Sequence, residues 1–166
     1  ICSKLFDRTL MNIQSYQALT QDEKNRVKSC LSTDVATSWQ VFDSNCCLRN
    51  PANPLINQIC ETIGTTLNSE TSTSLFAATE RFMRPPYGMN INAVALLTFY
   101  YIAYHGSKLF CYYGQEKLVA SHLSDKVFKG SKLQVAELKK IRLQINENAE
   151  VDQVVEICKK ALSTSM

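Results

Sequence analysis

Arg84-Pro85-Pro86-Tyr87-Gly88, followed by the apolar run from Ile91 to Tyr104, constrains this chain more than any other stretch. Two successive prolines fix φ near −65° and withdraw two backbone donors, so a helix arriving through Thr71 to Met83 has to stop, and Arg84 is held extended. Gly88 can take φ > 0 and reverse the chain, and Asn90 or Asn92 is then placed to cap a new helix. In that helix Ala93, Leu96, Leu97, Tyr100, Tyr101 and Tyr104 recur at three- and four-residue steps, while Val94, Ala95, Phe99, Ile102 and Ala103 fill most of the rest. A helix apolar on nearly every side belongs inside a core, with Leu96, Leu97, Phe99 and Tyr100 mostly buried. At about 14 residues it falls short of the roughly 20 that a bilayer span needs.

The residues before this segment read as helical. Leu5, Phe6, Leu10, Ile13 and Tyr16 predict a helix over Cys2 to Leu19, and Thr20-Gln21-Asp22-Glu23 has the form of a capping box that starts a second, running to about Leu31. Thr33 or Asp34 is placed to cap a third, from Val35 to about Cys46, with Trp39 and Phe42 on its apolar side. Asn50-Pro51-Ala52-Asn53-Pro54 reads as a loop, and Pro54 suits the first turn of a fourth helix bearing Leu55, Ile56, Ile59, Ile63 and Leu67. Gly64 and the Thr65-Thr66 pair weaken its end. A fifth helix, from about Ser72 to Met83, leads into the proline turn.

Past Gly106 the period changes. Lys108 to Tyr113 is rich in aromatic residues, Gly114-Gln115-Glu116 supplies a turn, and Lys117 to Ala120 returns antiparallel, which predicts a hairpin. Ser121 or Ser124 caps a short helix through Val127 and Phe128 that Gly130 ends, Leu138 to Ile145 alternates as a strand, and Glu150 to Leu162 closes as an amphipathic helix.

A chain of 166 residues with 45% hydrophobic content can bury a full core. Its net charge of +3 does not by itself argue for nucleic acid, with 18 basic residues against 15 acids. The distribution is uneven: Lys126, Lys129, Lys132, Lys139, Lys140 and Arg142 face only Asp125 and Glu137 along the same stretch. No aromatic or arginine cluster interleaves these lysines in the sequence, so a solvated face is favoured over a nucleic-acid footprint. Seven cysteines at irregular spacing, with no CxxC and with Cys46 and Cys47 adjacent, fit reduced thiols in the cytoplasm better than a disulfide framework or a zinc site. The chain begins at Ile1 without a charged segment leading into an apolar one, so no secretory signal is expected and a fragment of a longer protein is.

Candidate chemistry is sparse. The five glycines contain neither GxxxxGK[ST] nor GxGxxG, so no phosphate-cradling loop and no cofactor are expected. Cys111 with His105 is the one conceivable nucleophile pair, but His105 at a helix C-terminus is more simply a residue that favours the dipole, and Cys111 a packing residue. His122 is expected in a loop or helix start. Asp22 and Glu23 belong to a cap, and Glu147, Glu150 and Asp152 sit where negative charge suits a helix N-terminus. Tyr100, Tyr101, Tyr104, Tyr112 and Tyr113 have the rings to stack bases, yet tyrosines at such spacings more often pack a core with their hydroxyls at its rim.

Arg84 to Gly88, Leu96-Leu97, Leu109 to Tyr113, Leu118-Val119, and Leu123 with Val127-Phe128-Lys129 together resemble a C-terminal region of large bacterial P-loop ATPases of phage defence, including BREX-like systems. The resemblance covers about a third of the chain, excludes the ATPase core and carries over no catalytic residue. It implies a non-catalytic module within a larger intracellular assembly.

The expected fold is α+β and predominantly helical, with a helical bundle over residues 1–83 packed on a winged-helix-like unit with a β-hairpin over 84–166. The expected role is an interaction module that docks a protein partner or further domains of a longer chain, without membrane contact. A DNA-binding domain using Lys126, Lys129, Lys132, Lys139, Lys140 and Arg142 is the alternative, and a cysteine-dependent enzyme the third reading.

Overall fold

The computed structural model describes residues 1–6, 13–32, 35–45, 47–69, 73–119, 122–130, 132–149 and 154. Helices α1 (Cys2–Phe6), α2 (Ile13–Gln17), α3 (Gln21–Leu31) and α4 (Pro54–Ser69) come first. The capping box at α3 is formed: the Thr20 hydroxyl accepts from the Glu23 amide and the Glu23 carboxylate accepts from the Thr20 amide. Lys4 of α1 pairs with the same carboxylate, and these donors, Lys4 foremost, hold the Glu23 carboxyl down at about 2. Asn53 caps α4, its side-chain oxygen accepting from the Leu55 and Ile56 amides, with Pro54 at the first helical position.

Val35 to Asn45, the described part of the helix expected to run to about Cys46, is not helical. After α3 the chain turns and runs extended, with the Trp39 and Val41 amides donating to the Cys30 and Leu31 carbonyls, and Phe42 and Leu48 form an isolated antiparallel bridge. The Asp43 carboxylate explains the preference: it accepts from the Asn45 and Cys47 amides, an Asx-type turn that competes with helical pairing. Conversely α4 runs on past Gly64, where the sequence suggests weakness. Thr65 and Thr66 donate back to the Glu61 and Thr62 carbonyls, and a side chain at Gly64 would come within 3.3 Å of the Tyr101 hydroxyl. The glycine lets another helix approach closely.

The segment before the proline turn divides into β1 (Thr73–Ser74), α5 (Leu75–Glu80) and a 3₁₀ turn over Arg81–Met83. The turn itself forms as the sequence requires: the Tyr87 and Gly88 amides donate to the Arg84 carbonyl, Met89 donates back to Phe82, and the Phe82 and Tyr87 rings meet edge-to-face at 5.1 Å. Asn90, not Asn92, caps α6 (Ile91–His105), accepting from the Ala93 amide at 2.9 Å. Val94, Ala95, Leu97, Thr98, Phe99, Tyr100, Tyr101 and Ile102 are buried, whereas Leu96 is only half-buried. Among the described residues no helix is long and apolar enough to cross a membrane.

A 3₁₀ turn over Gly106–Lys108 leads into β2 (Leu109–Tyr113) and β3 (Glu116–Leu118). Then come α7 (Leu123–Val127), the two-stranded ribbon β4 (Phe128–Lys129) and β5 (Lys132–Leu133), α8 (Val135–Leu138) and β6 (Ile141–Ile145). The strand expected over Leu138 to Ile145 therefore starts only at Ile141, because Leu138 is drawn into α8 and buried at 1% exposure. The four-stranded antiparallel sheet has the order β1-β6-β2-β3, so a strand from before the proline turn sits at its edge. The helix expected from Glu150 to Leu162 lies outside the described residues apart from Val154, which is helical and exposed, and the middle of the helix expected over Cys2 to Leu19 also lies outside them. The protein is α+β. Its core cluster joins Leu5, Leu31, Ile63 and Leu75 to Leu97, Leu123 and Leu143.

Gly106 closes α6 at φ 53°, ψ −121°, a conformation that a side chain strains even though nothing lies within 4 Å of a Cβ built there. Gly106→Ala is expected to lower the unfolding free energy by about 1–3 kcal/mol, read from urea denaturation, through backbone strain alone.

Candidate functional site

Register assigns the two faces of the sheet. Cys111 lies between Leu143 and Leu118, and Tyr113 between Ile141 and Glu116. Leu109, Cys111, Tyr113, Leu118, Ile141, Leu143 and Ile145 all belong to the core or pack on it, with α4 and α5 against β6. Side chains alternate along a strand, so the other face carries Ser74, Arg142, Tyr112 and Lys117 in one row and Gln144 with Phe110 in the next. Phe110 and Tyr112 are half-buried but do not join the core cluster. No carboxylate belongs to this face among the described residues.

Cations lie over its rings. The Lys117 ammonium is 3.4 Å from the Phe110 ring centre and the Arg142 guanidinium 5.9 Å from that of Tyr112. Arg142 Nη2 donates to the Gly114 carbonyl at 2.6 Å, which ties β6 to the hairpin turn. That turn depends on Gly114 at φ 62°. Each cation–π contact at such a site is worth about 0.5–1 kcal/mol.

The lysines singled out from the sequence fall into three places. Lys126 and Lys140 flank the Tyr113 ring at 5.3 and 5.5 Å, Lys139 covers Phe76 at 5.0 Å, and Lys129 and Lys132 stand directly opposite one another, both exposed, on the β4–β5 ribbon. Lys140 also pairs with Glu137 at 2.9 Å, and Glu137 accepts from the Tyr113 hydroxyl. This network shifts all three groups: Glu137, accepting from Tyr113, holds its hydroxyl above the ordinary tyrosine value, while the Tyr113 and then the Lys140 bonds hold Glu137 low. Lys140 is raised, chiefly by Glu137. The interleaving of basic and aromatic groups that the linear sequence lacks is thus supplied by the fold.

Sequence reading passes over Phe110, Lys117 and Gln144 and places Tyr112 with the core. Leu109 to Tyr113 is hydrophobic at both parities, so nothing in it says which residues face inward. The usable signal lies elsewhere, in the strict alternation of Ile141-Arg142-Leu143-Gln144-Ile145, and it transfers to β2 only once the two strands are in register.

The remaining candidates have structural surroundings. Burial pushes the Cys111 and Cys60 thiols up to about 12 and raises Cys2, so Cys111 is a poor nucleophile at neutral pH. Among the described residues no hydrogen bond links Cys111 to His105. His105 packs on the Tyr101 and Tyr104 rings at 4.3 and 5.2 Å, and burial, with Lys108 nearby, lowers its pKa, which works against the charged form that the helix dipole would favour. His122 is exposed. Tyr100 and Tyr101 are core residues, the Tyr100 hydroxyl donating to the Arg49 carbonyl at 2.6 Å. Cys2, Cys30, Cys47, Cys60 and Cys111 are free thiols, whereas Cys46, Cys158, Glu150 and Asp152 lie outside the described residues. No group of three His, Cys, Asp or Glu side chains converges as a metal site among the described residues.

No family model, no curated protein and no solved structure matches the chain.

Proposed function

We propose that the chain is a non-catalytic interaction module of a larger intracellular assembly, and that the basic residues lying over rings on and around its four-stranded sheet contact nucleic acid. One observation carries this: Lys117, Lys126, Lys139, Lys140 and Arg142 each lie over an aromatic ring, in a part of the fold where Glu137 is already matched to Lys140. Positive charge attracts phosphates, and rings beside it supply contact area that a merely solvated lysine face lacks. In a winged-helix-like arrangement of residues 84–166 the β2–β3 hairpin takes the place of the wing, with Lys117 and the Gly114–Gln115 turn at its end. The resemblance around Arg84 to Gly88 supports a phage-defence ATPase as the larger assembly.

Binding to labelled nucleic acid is expected with a dissociation constant of about 10⁻⁴–10⁻⁶ M at physiological salt, falling away steeply as salt rises. Lys126→Gln with Lys139→Gln, which removes cations over Tyr113 and Phe76 that no carboxylate pairs among the described residues, should reduce the log–log salt slope by about 1.8 on duplex DNA, at about 0.9 per lost phosphate contact. Fluorescence anisotropy across a salt series checks both. An affinity indifferent to salt, or no binding even at low salt, would overturn the reading.

A further inference from the structure

We infer that Phe110 and Tyr112 form a stacking platform for single-stranded nucleic acid, with Lys117 and Arg142 gripping its phosphates; this rests on the reading above that the module contacts nucleic acid. The two rings occupy alternate positions of one strand, on the face that the core does not use. Antiparallel four-stranded sheets bearing aromatic side chains in this way are a recurrent surface for stacking two or three unpaired bases.

Spacing favours a single strand over a duplex. Residues two apart on a β-strand are about 6.8 Å apart, whereas consecutive bases in duplex DNA are stacked about 3.4 Å apart along each strand. Bases that remain in a duplex cannot each settle on one of these rings, but a splayed single strand can present one base to each. The polar members of the face suit the rest of a nucleotide. Arg142 uses its contacts to Gly114 and Gln115 for position and keeps further N–H donors for a phosphate oxygen. Gln144, directly opposite Phe110, offers an amide that can both donate to and accept from a base edge.

The cations now lying over the rings do not block this. A cation on an exposed ring is worth a factor of about 2–5, against about 5–140 for a stacked base at about 1.4 kcal/mol per decade. A base therefore displaces Lys117 from Phe110, and the freed ammonium turns to the adjacent phosphate. Because no carboxylate shares the face among the described residues, none of them repels the backbone there.

The test uses the 166-residue chain with a short labelled oligothymidylate, an abasic oligonucleotide of the same length, a polyglutamate peptide of matched charge, and a duplex. The abasic strand keeps the phosphates and removes the rings. Oligothymidylate should bind at least about 5-fold tighter than the abasic strand for each base stacked. Phe110→Ile with Tyr112→Ile keeps β-propensity while removing both π-faces, and should bring oligothymidylate down to the abasic level with an unchanged circular dichroism spectrum. Lys117→Gln should lower the log–log salt slope by about 0.7 on the single strand. Equal binding of the abasic strand or the peptide, or undiminished binding by the folded isoleucine variant, would overturn the platform while leaving salt-dependent nucleic-acid contact standing. Failure of every nucleic acid to bind at low salt would remove both.

Discussion

Between pH 9 and pH 12 the folded state is expected to lose stability progressively, because burial holds the Cys60 and Cys111 thiols from 9.0 up to about 12. Below pH 9 both thiols are protonated in the folded and unfolded chains alike, and their favourable burial is fully present. Above it the unfolded chain releases protons that the folded chain keeps, so the unfolded state binds fewer and stability falls as pH rises. The loss is complete once pH passes the folded value. Each thiol contributes on the order of 4 kcal/mol over this range, at about 1.4 kcal/mol per pH unit, and two together are comparable with the 5–15 kcal/mol that typically holds a domain folded. Tyr101, also pushed up to about 12 by burial, acts in the same direction. Urea midpoints by circular dichroism at pH 8, 10 and 11 should fall progressively, and Cys60→Ala with Cys111→Ala should flatten the trend. A midpoint constant from pH 8 to 11 would mean that neither thiol is buried as described.

Phe99→Ala is expected to cost about 3–5 kcal/mol and Leu97→Ala about 2–5 kcal/mol of unfolding free energy. Both side chains are buried to 1% exposure or less, and the Phe99 ring packs on Phe128 at 5.5 Å, joining α6 to the C-terminal ribbon. Leu96, half-buried on the same helix, should cost less. Urea denaturation of the three variants checks the order. An unchanged midpoint for Leu97→Ala would take α6 out of the core.

Local chemistry fixes much of this protein before any tertiary contact forms. Thr20 and Glu23 cap their helix because donors and acceptors three residues apart meet in the first turn. Two prolines end one helix, and Asn90 starts the next, because a missing N–H and a side-chain acceptor act within a few residues. The burial of α6 follows from its having too little polar surface to solvate.

Where local preferences compete, sequence reading fails for identifiable reasons. Trp39 and Phe42 have helical spacing, yet the Asp43 turn and the amides paired back to α3 take the segment elsewhere. Gly64 weakens a helix considered alone, but it permits the approach of Tyr101, which lies 37 residues further on. The candidate site depends on the same distinction. Arg142 and the lysines are visible as charge in the sequence, but the rings beneath them come from Phe76, Phe110, Tyr112 and Tyr113, and only strand pairing and helix docking bring the two sets together. Sequence alone determined the Thr20–Glu23 capping box, the proline turn, the core helix and the alternation of β6, each set by groups within one or two turns of one another. At α7, by contrast, His122 stands at the N-cap without a side-chain hydrogen bond, in place of the expected Ser121 or Ser124. Tertiary structure decided which face of β2 turns outward, because a strand hydrophobic at both parities takes its orientation from its neighbour's register.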